Sequence, residues 1–216
     1  MGRVLKKMAW PRDTFLVSSK VFFGGSLPTQ SGLSRKHVVE ACDAALKRLR
    51  VDYLDLYFCH RPDPETPIEE TVRTMNDLIA QGKVLYWGTS EWGPAQLQEA
   101  YDVAGRLGLV GPQMEQPQYH LFHRENVEQS LAPFYDRYGL GTTIWSPLAC
   151  GLLTGKYNNG IPKDSRANLE GFAWIKEQME SDETRARVPV VESLALLADE
   201  LGAKLPQLAL AWCAKI

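Results

Sequence analysis

Apolar and polar positions alternate along the chain in blocks that read as strand, then helix, then strand again. Gly2 to Met8 has the pattern of an amphipathic helix tail, and Trp10-Pro11-Arg12-Asp13 reads as the turn that ends it. Thr14 to Val21 follows as a strand, apolar at its centre and closing on small polar residues and Lys20. After a glycine-rich loop from Phe22 to Gly32, Ser34 can cap a helix running to about Arg48, with Val38, Ala41, Cys42, Ala45, Leu46 and Leu49 on one face. Val51 to Cys59 is dense in aromatic and aliphatic residues, as in a strand buried on both faces, and it stops abruptly at His60-Arg61-Pro62-Asp63.

The alternation continues. Thr66-Pro67-Ile68-Glu69 predicts a helix start with Thr66 as cap and Glu69 reaching back in a capping box, and Gln81-Gly82 predicts its end. Further strands are expected at Lys83 to Ser90, Pro112 to Gln118 and Gly141 to Leu148, with helices at Pro94 to Leu107 and Glu125 to Tyr138. A polar loop from Cys150 to about Leu169 and two helices, near Pro189 to Leu201 and from Pro206 to the end, complete the chain.

Successive strand-helix units without hairpin signals mean a parallel sheet, either doubly wound or closed as a (β/α)8 barrel. No G-x-G-x-x-G follows any strand, and polar residues end every strand instead of clustering at one switch point, which favours the barrel. A full barrel takes about 250 residues and eight such units. The expectation is therefore one incomplete (β/α)8 barrel domain over residues 1–216, holding about its third to seventh strands.

Composition narrows the function. With 24 basic and 26 acidic residues the net charge is −2, so nothing points to nucleic acid or an anionic membrane. There is no apolar run of about 20 residues and no signal-peptide pattern, so a soluble, cytoplasmic protein is expected. The four cysteines, Cys42, Cys59, Cys150 and Cys213, are widely spaced; they read as reduced packing thiols, not as a zinc knuckle or a disulfide framework.

In parallel α/β folds the carboxyl ends of the strands build the site. Those ends carry Lys20, His60, Ser90 with Glu91, Gln116 with Gln118, and Ser146 within Trp145-Ser146-Pro147-Leu148. A lysine, a histidine, amides and an indole around one mouth suit a planar cofactor held by stacking and amide hydrogen bonds, with proton transfer beside it. Lys156 and Arg166 could clamp a phosphate, although two cations on a solvated loop need no ligand to explain them.

The segments Gly32-Leu33-Ser34-Arg35-Lys36-His37, Arg61-Pro62-Asp63-Pro64, Thr66 to Arg73, Tyr86-Trp87-Gly88-Thr89-Ser90, Trp145 to Gly151, Gly155-Lys156-Tyr157 and Leu205 to Ala209 resemble the aldo-keto reductase superfamily, most closely its voltage-gated potassium channel β-subunit-like branch. The resemblance implies a (β/α)8 barrel that binds NADP(H) and reduces aldehydes and ketones by hydride transfer. It implies Lys20 and His60 as two members of a catalytic tetrad. Ser90 and Gln116 would hold the nicotinamide carboxamide. Trp145, Ser146, Pro147, Leu148, Ala149 and Cys150 would run along the ribose and pyrophosphate, with Lys156 and Arg166 as phosphate contacts. Channel β subunits often carry Asn where His60 stands, which leans towards a reductase, and Glu91 departs from the Arg they carry at its position. The tetrad Asp and Tyr fall ahead of the matched segments, so a chain truncated at both ends and impaired in turnover is expected. The resemblance also allows a non-catalytic regulatory subunit, a homo-oligomer and a membrane channel partner.

Overall fold

Residues 1–215 are described by a computed structural model, in which they form two compact units. The first comprises Met1–Pro117 and Asn126–Thr143; the second comprises Gln118–Glu125 and the chain from Ile144 onward.

The first unit is built on five parallel strands, β1 (Ser18–Val21), β2 (Leu54–Cys59), β3 (Val84–Thr89), β4 (Met114–Glu115) and β5 (Gly141–Thr142), paired in chain order. Helices α1 (Gly2–Met8), α2 (Arg35–Leu49), α3 (Ile68–Ala80), α4 (Pro94–Leu107) and α5 (Ala132–Tyr138) precede and separate them. This is the arrangement expected of an incomplete (β/α)8 barrel. Leu54, Tyr57 and Cys59 of β2 and Val84 and Trp87 of β3 are buried against the inner faces of α2, α3 and α4. Each large side chain so enclosed contributes about 1.5–3 kcal/mol.

Local chemistry explains where the elements stop. Ser34 caps α2 by accepting from the His37 backbone N–H at 3.4 Å, as its sequence predicts. The capping box at Thr66 does not form. The Thr66 hydroxyl donates to Asp63 at 2.8 Å, Pro67 takes the cap position, and Glu69 pairs with Arg73 and Arg106. Asp63, which also accepts from the N–H groups of Leu33 (2.7 Å) and Glu65 (3.0 Å), outcompetes the local cap and ties two loops together. β4 and β5 are shorter than predicted. Pro112 and Pro117 bracket β4 and remove the donors that would extend its ladder. The helix expected from Glu125 is broken as well: Asn126–Ser130 forms a wide π turn, and α5 starts at Ala132 because Pro133 is tolerated only in a first turn.

In the second unit, 3-10 turns at Ala149–Thr154 and Arg166–Asn168 lead to α6 (Ala173–Glu180), α7 (Asp182–Glu200) and α8 (Leu205–Cys213). Ser181 caps α7 by accepting from Thr184 N–H at 3.2 Å, so this helix begins a full two turns before Pro189 and carries the proline inside it. Gln118 and Trp145 form a parallel bridge that keeps the residue offset of the β4–β5 pairing. Leu153, Ile175, Val191 and Ala209 anchor the unit's own apolar core. No helix among the described residues is long and apolar enough to cross a membrane.

Candidate functional site

Four of the residues singled out from the sequence fall on one edge of the sheet. Backbone bonds from His60 N–H to Val21 (2.8 Å), Ser90 N–H to Cys59 (2.9 Å), Gln116 N–H to Thr89 (2.7 Å) and Thr143 N–H to Glu115 (3.0 Å) extend the ladder one step past the strands. They set His60, Ser90, Gln116 and Thr143 in a row along the carboxyl ends, with Lys20 just inside it on β1. The rigidity is that of the sheet.

Side chains knit this row. The Lys20 ammonium donates to Gln116 Oε1, Gln116 Nε2 donates to Thr143 Oγ1 at 3.3 Å, and the buried Ser90 hydroxyl donates to the Gln116 carbonyl at 2.8 Å. Gln116 can form at least one further bond at each end of its amide, the complement of another carboxamide. The His60 ring stands edge-on to Phe23 with centroids 5.2 Å apart, and Arg61 donates to the His60 carbonyl at 2.6 Å. Partial burial lowers the His60 pKa, and the positive charges of Lys20 and Arg61 lower it further. Partial burial and then Arg61 lower the Lys20 pKa in the same way. The row thus favours a neutral imidazole and an ammonium that gives up its proton more readily than usual.

Glu115 was missed by sequence reasoning. It is fully buried on β4, and burial pushes its carboxyl up to about 7 despite hydrogen bonds from Thr89 and from the N–H groups of Glu91 and Trp92. Its neighbours Gln113, Gln116 and Gln118 are polar as well, so the sequence carried no signal that set Glu115 apart.

The remaining eight candidates lie in the second unit. Trp145, Ser146, Pro147, Leu148, Ala149 and Cys150 are consecutive, and the backbone at Ser146, Ala149 and Cys150 is left-handed (φ 54, 49 and 56°), followed by Gly151 at 105°. The Gly151 and Leu153 N–H groups turn back to the Leu148 carbonyl at 2.9 and 3.2 Å. Ala149, Cys150 and Gly151 are left-handed in succession and fold the chain into a tight turn, in which the Ala149 N–H also bonds back, to the Ser146 carbonyl at 2.9 Å. Lys156 comes to this turn: a Cβ on Gly151 would lie 3.0 Å from its Cε, and its ammonium sits 4.9 Å from the Tyr157 ring centre. Arg166 is on a separate turn, its guanidinium 5.5 Å from the Phe172 ring centre. These are the groups that could receive phosphates. Among the described residues no cluster of three or more His, Cys, Asp or Glu could hold a metal ion.

The sequence model described as "Aldo/keto reductase family" matches residues 1–215. The chain is also 51% identical over 215 residues to a protein of Arabidopsis thaliana named "Probable voltage-gated potassium channel subunit beta", the match covering 99% of this chain and 65% of that relative's length.

Proposed function

Because the chain belongs to the aldo/keto reductase family, we propose that it serves a cytoplasmic, NADP(H)-dependent reduction of aldehydes or ketones to alcohols. The observation that carries the reading is the knitted row of Lys20, His60, Ser90 and Gln116 along the carboxyl edge of a parallel sheet. Ser90 and Gln116 would hold the carboxamide of the cofactor, since the Gln116 amide can still offer a donor and an acceptor beside its bonds to Thr143 and Lys20. By the resemblance, the turn at Leu148 to Gly151 with the Lys156 cation would receive its pyrophosphate, and Arg166 a further phosphate. When bound, the cofactor supplies the hydride.

His60, kept neutral by its burial and by two neighbouring cations, can donate a hydrogen bond to the carbonyl oxygen and orient it. Lys20 provides the positive charge that stabilises a developing alkoxide or an adjacent proton donor. A polypeptide of these 216 residues alone is expected to turn carbonyls over slowly, because the row does not itself include the Tyr and Asp that the resemblance calls for; a missing general acid costs about 10²- to 10⁴-fold.

A second reading rests on the likeness to the Arabidopsis protein named as a channel subunit. In it the protein is a homo-oligomer whose bound cofactor regulates a membrane channel. His60 in the row favours the reductase.

The test is a titration with NADPH followed by nicotinamide fluorescence, with carbonyl-dependent NADPH oxidation measured beside it. Saturable binding, and a His60→Ala variant that binds NADPH normally but turns over about 10²-fold more slowly, is expected. A folded, cooperatively melting chain that shows no saturable binding overturns the reading. Binding with no turnover even in a polypeptide that also carries the Tyr and Asp favours the regulatory one.

A further inference from the structure

A carboxylate buried in a strand is costly unless hydrogen bonds compensate it, so the donors that Glu115 gathers indicate what it holds. All of them come from one short stretch. Oε2 accepts from the Thr89 hydroxyl at the end of β3, Oε1 accepts from Trp92 N–H at 3.3 Å, and the carboxylate also accepts from Glu91 N–H. Between these donors lies Ser90, and immediately after it the chain turns at Glu91 in the left-handed region, φ +60°. For a residue with a Cβ that conformation costs about 1 kcal/mol or more. It persists where the surroundings over-determine it.

The geometry assigns Glu115 a positioning role: by fixing the left-handed turn at Glu91 it holds the Ser90 hydroxyl on the Gln116 carbonyl, and so sets the two residues that would grip the nicotinamide end of the cofactor. The inference rests on the NADP(H) reading above. Side chains alternate along β4, so Gln116 faces the row while Glu115 points to the opposite side of the sheet and reaches the turn from behind. Its grip is complete without any ligand. The Ser90 backbone is fixed independently to Cys59 at 2.9 Å, which leaves the turn after it as the element that the carboxylate controls.

The experiment separates positioning from plain stabilisation. NADPH dissociation constants are measured by fluorescence titration for the unsubstituted chain, Glu115→Gln, Glu91→Gly, and the two substitutions together. Val103→Ala, a core truncation on the buried side of α4, serves as a control for lowered stability. Replacing a carboxylate that accepts several bonds by an amide is expected to weaken NADPH binding about tenfold. Glycine adopts φ +60° without support, so Glu91→Gly added to Glu115→Gln is expected to recover about threefold or more relative to Glu115→Gln alone. Val103→Ala should lower the melting temperature and leave NADPH affinity unchanged. Thr89→Val, which removes one donor and keeps the carboxylate, gives a milder version with a loss of about threefold, and it carries the test if Glu115→Gln does not fold. Unchanged affinity in Glu115→Gln, or a loss that Glu91→Gly does not relieve, overturns the proposal while leaving the cofactor reading intact. If the unsubstituted chain does not bind NADPH at all, the cofactor reading itself has failed, and the proposal with it.

Discussion

The two units hold their candidate residues by different physics. In the first, Lys20, His60, Ser90 and Gln116 inherit their places from a sheet in which each is fixed by the ladder bond of its neighbour strand. In the second, the stretch from Trp145 to Gly151 is shaped by left-handed backbone at Ser146, Ala149, Cys150 and Gly151, supported by short-range turns. A sheet places side chains at low local cost but demands close packing between strands. A turn of this kind leaves room around itself but stores backbone strain. In the proposed reading the proton-handling groups sit on the first type of scaffold and the phosphate-side residues on the second, as suits side chains that need precise direction.

That contrast can be broken at named positions. The largest effect is expected at Gly88, where β3 passes β4: a Cβ there would lie 2.1 Å from the Met114 carbonyl oxygen. Gly88→Ala should destabilise the sheet by about 3 kcal/mol, read from the shift of a urea melt followed by tryptophan fluorescence. At Gly151 the contact is looser, 3.0 Å to the flexible Lys156 side chain, but φ is 105°. Gly151→Ala is therefore expected to cost about 2 kcal/mol and to weaken NADPH binding, through strain and not collision. Equal sensitivity to space and to backbone angle at both sites would dissolve the distinction. The opposite sign is expected at Cys150, whose φ is 56°: Cys150→Gly should stabilise by about 1 kcal/mol, seen as a higher melting temperature.

Proton titration sharpens the comparison further. The His60 pKa lies below the ordinary imidazole value because of burial first and the Lys20 and Arg61 charges next, so any stability tied to its neutral ring is lost as pH falls through that lowered midpoint. Lys20→Met should raise the midpoint observed by NMR of the ring protons. For Glu115 the sign reverses. Its carboxyl is raised from 4.5 to about 7, so the folded state holds a proton that the unfolded state has released, and stability should decline between those values as pH rises. Glu115→Gln should flatten that slope in melts across the same range.

How much of this was legible in the sequence follows from how local each cause is. Helix α4 was read to its boundaries because Pro94 opens it and Gly108 closes it, both signals carried by single residues. The row of strand ends was legible because a polar residue after an apolar run has few places to go. The cap at Thr66 was misread because Asp63 draws its hydroxyl away, a competition that involves Leu33 some thirty residues earlier. The early start of α7 was hidden by Pro189, whose presence argues for a beginning when the helix in fact runs through it. The left-handed turns at Ser146, Ala149 and Cys150 carry no glycine to announce them, and only Gly151 hinted at the bend. Glu115 needed the donors of a neighbouring strand and turn before its burial made sense.

The strand order of the first unit has a kinetic meaning. Because β1 to β5 lie side by side in the order in which they are synthesised, each new strand meets its partner as soon as one helix has followed the last. No pairing among these five strands has to wait for a distant segment, which keeps loop closures short for a parallel sheet and lets a growing edge template the next addition. On a ribosome the row of Lys20, His60, Ser90 and Gln116 would be assembled one residue at a time, in that order, as the chain emerges.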